Sequence, residues 1–133
     1  MTRFLLRVGA VLCVVAGVCW FTTRPAQAVK AFRDQFEAKY VKADSKDPAD
    51  MALATAFKEA KCNICHVGKN KKARNAYGRE LAKFLNKETD MENVEKIRAS
   101  LDKVAALKSS KDPQAPTFGD LIKQGKLPAG ITR

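Results

Sequence analysis

Apolar residues recur every three or four positions along much of this chain, which is the spacing of helices that bury one face. The first such face consists of Val29, Phe32, Phe36 and Tyr40. A second helix is expected from about Pro48 to Lys61, because Asp47 can cap it and proline suits the first helical position. The apolar residues of this second helix are Met51, Leu53, Ala54 and Phe57.

A polar segment separates the second helix from the third. The residues from Val67 to Lys72 include Gly68 and three lysines, and this composition predicts a solvated loop. A third helix is expected from about Ala73 to Asn86. Its apolar stripe is Tyr77, Leu81, Phe84 and Leu85.

Two capping patterns predict the starts of the last two helices. Thr89-x-x-Glu92 precedes the longest amphipathic stretch of the chain. The apolar stripe of this fourth helix is Met91, Val94, Ile97, Leu101, Val104 and Leu107. Thr117-x-x-Asp120 opens a short helix that should stop at Gly125. No segment alternates apolar and polar residues with a period of two, so the sequence predicts an all-α fold of four to five helices.

Residues 1–28 have the pattern of a secretory signal peptide. Two arginines near the start precede an apolar run at residues 8–21, and Ala-Gln-Ala at residues 26–28 is a cleavage site of the small-x-small type. The apolar run has 14 residues. A membrane span needs roughly 18 or more, so cleavage is favoured over an uncleaved anchor. We therefore expect residues 29–133 to form one exported domain with no stable membrane insertion.

Cys62-Asn63-Ile64-Cys65-His66 has the Cys-x-x-Cys-His spacing at which a haem is attached covalently to a protein. Two thiols one helical turn apart can each add to one vinyl group of the porphyrin, and the adjoining imidazole can bind the iron. The motif predicts one haem c, with Cys62 and Cys65 as attachment points and His66 as proximal ligand. Export agrees with this chemistry, because c-type haem is joined to protein in the bacterial periplasm or an equivalent compartment.

Two other interpretations of the cysteine pair are possible. A structural zinc site needs four Cys or His ligands, yet His66 is the sole histidine, and Cys13 and Cys19 lie in the predicted signal peptide. A thioredoxin-like redox pair would follow a buried strand, whereas the residues before Cys62 predict a helix. Haem attachment is therefore favoured over both.

Basic residues outnumber acidic ones. Outside residues 1–28 the chain has 22 Lys and Arg against 14 Asp and Glu, a net charge of +8 that two ionised haem propionates would reduce to +6. This surplus favours an acidic redox partner protein, although a lysine-rich surface also serves solubility. The basic residues nearest the motif are Lys69, Lys71, Lys72 and Arg74. Nucleic acid is not expected as a partner, because the basic residues lack aromatic interleaving. The sequence does not indicate an oligomeric state.

A small exported helical domain with Cys-x-x-Cys-His near the end of an early helix resembles the class I cytochrome c family, from about Asp47 to the C-terminus. The resemblance implies a helical domain wrapped around one covalently attached haem. In that family a proline soon after the motif helps to hold the proximal histidine through a backbone carbonyl. The segment from Val67 to Asn75 contains no proline, so the partner of the second nitrogen of His66 is open.

The family also uses a methionine from a downstream loop as the distal iron ligand. Met91 is the only methionine after the motif and is the candidate for this role, although it also fits as a core residue at a helix start. Met51, a lysine amine, Tyr77, water or no ligand are the other possibilities. Gly78 in the third helix is either simply tolerated or allows the backbone to approach the haem or another helix closely.

These features predict an electron-transfer protein rather than an enzyme. The first alternative is a haem protein whose open distal site binds a small gas. The second is an accessory haem subunit of a larger exported complex. Efficient peroxidase chemistry is not expected, because His66 is committed to the iron and the chain has no other histidine for acid-base work.

Overall fold

The structure is a computed structural model that describes residues 28–130. Its five α-helices within that range are α1 (Ala28–Tyr40), α2 (Pro48–Ala60), α3 (Ala76–Leu81), α4 (Val94–Ala105) and α5 (Phe118–Lys123). A 3-10 turn spans Lys61–Ile64, and two strands follow it, β1 (His66–Val67) and β2 (Asn70–Arg74). No helix within residues 28–130 combines the length and apolar character needed to cross a membrane.

The predicted signal peptide lies outside the described residues, except that Ala28 is the first residue of α1. Cys13 and Cys19 fall in the same outer segment. The predicted exported domain, residues 29–133, is described up to residue 130.

The prediction of an all-α fold is wrong, because β1 and β2 pair as an antiparallel hairpin directly after the cysteine motif. The segment that was expected to be a loop supplies most of this hairpin. Its two-residue turn begins at Gly68, whose φ of 58° suits the first central position of such turns. One strand has two residues and the other reads Asn-Lys-Lys-Ala-Arg, so neither carries the apolar alternation that identifies a strand in sequence.

Local capping explains the ends of the helices. The predictions for α2 and α5 are confirmed: the Asp47 side chain accepts hydrogen bonds from Ala49 and Asp50, and Thr117 and Asp120 form a complete capping box. The fourth helix begins later than expected, at Val94, because Asn93 rather than Thr89 caps it. The Thr89 hydroxyl instead donates to the carboxylate of Asp90 at 3.1 Å.

An aromatic cluster joins the helices behind the motif. Phe36 of α1 stacks on Phe57 of α2 at a centroid distance of 6.0 Å and meets Tyr77 of α3 edge-on at 5.9 Å. Tyr77 in turn meets Phe118 of α5 at 5.3 Å. All four rings are almost completely buried, so they stabilise the fold chiefly by removing apolar surface from water. The cluster holds α1, α2, α3 and α5 around the segment that carries the cysteines.

Candidate cofactor-binding site

The cysteine motif lies where the chain changes from helix to hairpin. After α2 ends, Lys61 adopts a φ of 52°, a left-handed value that is uncommon for a residue other than glycine. The chain then makes the 3-10 turn that contains Cys62, passes through Cys65 and enters β1 at His66. The helical turn expected for the motif is thus a 3-10 turn that stops at Ile64. Cys62 and Cys65 are free cysteines, and both are half-buried.

His66 has a partner for one ring nitrogen. The Nδ1 atom lies 3.3 Å from the carbonyl oxygen of Ala73, which the pairing of His66 with Arg74 brings alongside the ring. A carbonyl can only accept, so this contact favours the tautomer with the proton on Nδ1. Nε2 then carries a lone pair that is able to bind a metal. The backbone carbonyl of Ala73 therefore orients His66 without a proline.

The surroundings of His66 favour its neutral form. Burial lowers the pKa of His66 most, and the positive charges of Lys71 and Arg74 lower it further, while the contact with Ala73 opposes them. A neutral imidazole is the form that binds a metal ion. The electrostatic environment therefore agrees with the tautomer that the hairpin selects.

Cys65 is not an activated thiolate. It packs against the hydrophobic core, and this burial raises the pKa of the Cys65 thiol to about 12. The neighbouring Cys62 adds to the rise, and Arg74 opposes it. The Cys65 thiol is therefore protonated at neutral pH.

Asn75 ties the motif to α3, a role that its sequence context does not reveal. Its buried side chain donates to the carbonyl oxygens of Asn63 at 3.0 Å and Ile64 at 2.9 Å. Its own N–H donates to the carbonyl oxygen of Cys65 at 3.1 Å. As the N-cap of α3 it also accepts from the N–H of Gly78 at 2.9 Å. The available sequence signal was an asparagine three residues before a glycine, which indicates a cap but not the contacts with the motif.

Gly78 allows α3 to lie directly against the motif. A Cβ atom on this residue would overlap the carbonyl oxygen of Cys65 and crowd its carbonyl carbon at 2.9 Å. The backbone at Gly78 does approach a neighbour closely, but this neighbour is not another α-helix. The group that it approaches is the backbone of Cys65.

A cavity of about 440 Å³ opens beside the motif. Cys62, Cys65 and His66 all line it. Its apolar wall is formed by Phe32, Phe36, Ile64, Leu81, Ala82 and Leu85. Its basic residues are Arg33, Lys61, Lys71, Lys72, Arg74 and Lys87, and no acidic residue belongs to the lining. The cavity is thus suited to a largely apolar molecule that carries negative charge at its edge.

Arg33 lines this cavity with a positive charge that already has acidic neighbours on α1. Its guanidinium lies over the ring of Phe57 at 4.6 Å, and its Nη1 lies 3.6 Å from Asp34 and 3.9 Å from Glu37. Its Nε is buried without a hydrogen-bond partner among the described residues, so this atom does not face the cavity.

The cavity does not include the predicted distal ligand. Met91 is half-buried in the connection between α3 and α4 and is not part of the lining. Met51 is 56% exposed on α2 and is not part of the lining either. Tyr77 is buried behind the cavity, where its hydroxyl has no hydrogen-bond partner among the described residues. The structure therefore brings together Cys62, Cys65 and His66 with four lysines, but not with a methionine.

Among residues 28–130, no group of three or more His, Cys, Asp or Glu side chains is arranged to hold a metal ion. Comparison of the chain with protein-family models, with curated proteins and with solved structures finds no match.

Proposed function

We propose that this protein is an exported c-type cytochrome that carries one covalent haem and transfers single electrons between redox partners. The observation that carries the proposal is the combination of motif and cavity. Cys62, Cys65 and His66 line one cavity, and the contact of His66 Nδ1 with Ala73 leaves Nε2 available to bind iron. The sequence of residues 1–28 supports export to the periplasm or an equivalent compartment.

The residues of the cavity fit a haem. Its volume of about 440 Å³ lies in the range of small-molecule sites, and its wall is largely apolar. The basic lining suits the two propionates of a haem. These features support the cofactor independently of the motif.

Each residue of the site has a role in the proposed function. Cys62 and Cys65 would hold the haem through two thioethers, and His66 would bind its iron through Nε2. The haem supplies the couple between ferrous and ferric iron. Phe32, Phe36 and the other apolar residues of the lining would shield a bound haem from water, and the carbonyl of Ala73 orients the imidazole. The residues keep their arrangement through a transfer, because no substrate has to bind or leave.

The proposal is tested by producing the full chain in bacteria that attach c-type haem. We expect haem to remain on the polypeptide after denaturation and extraction with acidified solvent, at about one haem per chain. The absorption spectrum should change reversibly when the protein is reduced and reoxidised. Absence of covalent haem from the wild-type protein would refute the proposed function.

An acidic redox partner is the expected docking partner. The chain has no acidic residue from Lys61 to Arg79, and Lys69 and Lys71 are exposed in the hairpin that follows His66. Like charges grouped in this way attract an oppositely charged partner and speed encounter at low salt. Docking at this hairpin would bring the partner close to the cavity.

Reversing charge in the hairpin should slow electron transfer with an anion. For Lys69→Glu combined with Lys71→Glu, we expect the rate of oxidation by hexacyanoferrate(III) to fall about tenfold at low salt and by less at high salt. A cationic cobalt complex should react faster with the same variant. Lys111→Glu combined with Lys123→Glu changes the charge equally at exposed sites outside the cavity lining and is the control. Equal effects of the two double variants would rule out the hairpin as the docking site.

A second function, binding of a small gas at an open distal site, is favoured by the position of Met91. Because Met91 is not part of the cavity lining, we expect Met91→Ala to leave the ferric and ferrous spectra unchanged. Carbon monoxide should then shift the ferrous spectrum of both proteins if no side chain binds the distal face. A sulfur-to-iron charge-transfer band that disappears in Met91→Ala would instead establish Met91 as the ligand and remove the reason for this second function.

A further inference from the structure

We propose that Asn75 is a positioning residue that holds the attachment segment in the shape required to receive and keep the haem. The inference rests on the proposed function and assigns a role to a residue outside the Cys-x-x-Cys-His motif. Asn75 does not line the cavity, so it would act through the backbone that carries Cys65 and His66.

Asn75 contacts three consecutive carbonyl groups of the motif. Its side-chain amide donates to those of Asn63 and Ile64, and its backbone N–H donates to that of Cys65. The side chain is buried, and the bond to Ile64 lies in the interior.

These carbonyl groups need a partner because secondary structure changes at this place. Asn63 and Ile64 are the last residues of the 3-10 turn, so the turn itself offers their carbonyls no donor, and Cys65 lies between the turn and β1. Without Asn75, buried acceptors would be left unpaired and the backbone between the two cysteines would be free to turn. The direction of Cys65 and of the His66 ring depends on that backbone.

An asparagine is suited to this place in a way that other capping residues are not. Capping α3 requires only an acceptor for the N–H of Gly78, and Asp, Ser or Thr can provide one. Holding the carbonyls of Asn63 and Ile64 requires a donor with two N–H groups, which the amide supplies and a carboxylate lacks. A carboxylate there would also repel both carbonyl oxygens. The Asn75 side chain thus caps α3 through its oxygen and holds the motif backbone through its amide N–H groups.

Asn75→Asp removes the two amide donors and keeps the cap, and Asn93→Asp is a control for the cap alone at an exposed position. Asn93 caps α4 through the same type of contact, accepting from the N–H of Lys96 at 2.9 Å, and it lies outside the cavity lining. In Asn75→Asp we expect covalent haem per chain to fall roughly three- to tenfold relative to wild type. We also expect the molecules that do carry haem to show a shifted midpoint potential and a changed ferric EPR spectrum. Asn93→Asp should match wild type in all three measurements.

The outcomes separate this inference from the proposed function. If wild type carries no covalent haem, the proposed function fails and the role of Asn75 fails with it. If wild type is loaded and Asn75→Asp shows the same loading, potential and EPR spectrum, the inference is overturned and the proposed function stands. Equal losses of covalent haem in the variants at positions 75 and 93 would show that Asn75 acts only as the N-cap of α3, and the inference would be wrong. Asn75→Ser with Asn93→Ser makes the comparison without a buried carboxylate, because serine keeps a cap and cannot reach both carbonyls.

Discussion

Gly78→Ala is expected to destabilise the protein by about 3 kcal/mol or more, the upper range for overpacking, because the added methyl group meets backbone rather than a movable side chain. The Cβ atom would overlap the carbonyl oxygen of Cys65. α3 would have to move away from the motif, which breaks the hydrogen bonds of Asn75 to Cys65 and Gly78. Thermal unfolding followed by circular dichroism should show a melting temperature lower by roughly 10 °C or more.

Gly119→Ala is the control for this substitution. Gly119 also lies in a short helix, but its added Cβ would meet the carbonyl oxygen of Ala105 at 3.0 Å, a contact that a small shift relieves. Alanine also favours a helix over glycine, so we expect its stability to stay within about 1 kcal/mol of wild type. A Gly78→Ala protein as stable as Gly119→Ala would contradict the close contact between α3 and Cys65.

Cys62→Ala combined with Cys65→Ala is expected to abolish covalent haem completely. Each thioether requires its own thiol, and Cys62 and Cys65 are the cysteines that line the cavity. Haem that still binds through His66 would be extracted by acidified solvent after denaturation. The measurement is haem staining of the denatured polypeptide together with the pyridine haemochrome spectrum, which reports the number of thioether bonds.

The control for this loss is Cys13→Ala combined with Cys19→Ala. These cysteines lie in the predicted signal peptide, so the exported protein should carry as much covalent haem as wild type. Covalent haem that persists without Cys62 and Cys65 would exclude thioether attachment at the motif. A thiol function other than haem attachment would then have to explain the pair.

The parts of the fold that depend on short-range contacts were predictable from sequence. Asp47 caps α2 through residues two and three positions ahead, and Thr117 and Asp120 cap α5 within one turn. Such contacts join residues that are two or three positions apart in the chain, so the residue types alone indicate them. The motif itself is equally local, and its three residues do line one cavity.

The hairpin could not be predicted in the same way. It is held by backbone pairing and by the conformation of Gly68, and its polar second strand looks like a loop in sequence. The observed start of α4 differs from the predicted one because Thr89 and Asn93 both suit a cap: the Thr89 hydroxyl bonds to Asp90, and Asn93 accepts from the N–H of Lys96. The residue types alone do not show which of the two neighbouring caps is used.

The hydrogen bonds from the Asn75 amide to the motif backbone have no specific sequence signal. Its partners lie 11 and 12 residues earlier, and their carbonyl groups belong to the backbone, which every residue type shares. The position of Met91 was hidden for a similar reason, because a methionine in the core and one beside a cavity have the same local pattern. The spacing of residues in the sequence indicates which ones could form a site, but the contacts of Asn75 and the position of Met91 depend on the tertiary fold.

The contacts that shape the attachment segment span a short length of chain. His66 and Ala73 are 7 residues apart, and Asn75 lies within 12 residues of its most distant partner, whereas the bond that ties α1 to α4, from Lys39 to Asp102, spans 63 residues. Closing a short loop costs less conformational entropy than closing a long one, and contacts of low sequence separation form sooner during folding. The contacts that shape the attachment segment therefore cost less conformational entropy to close than the contact between α1 and α4 does.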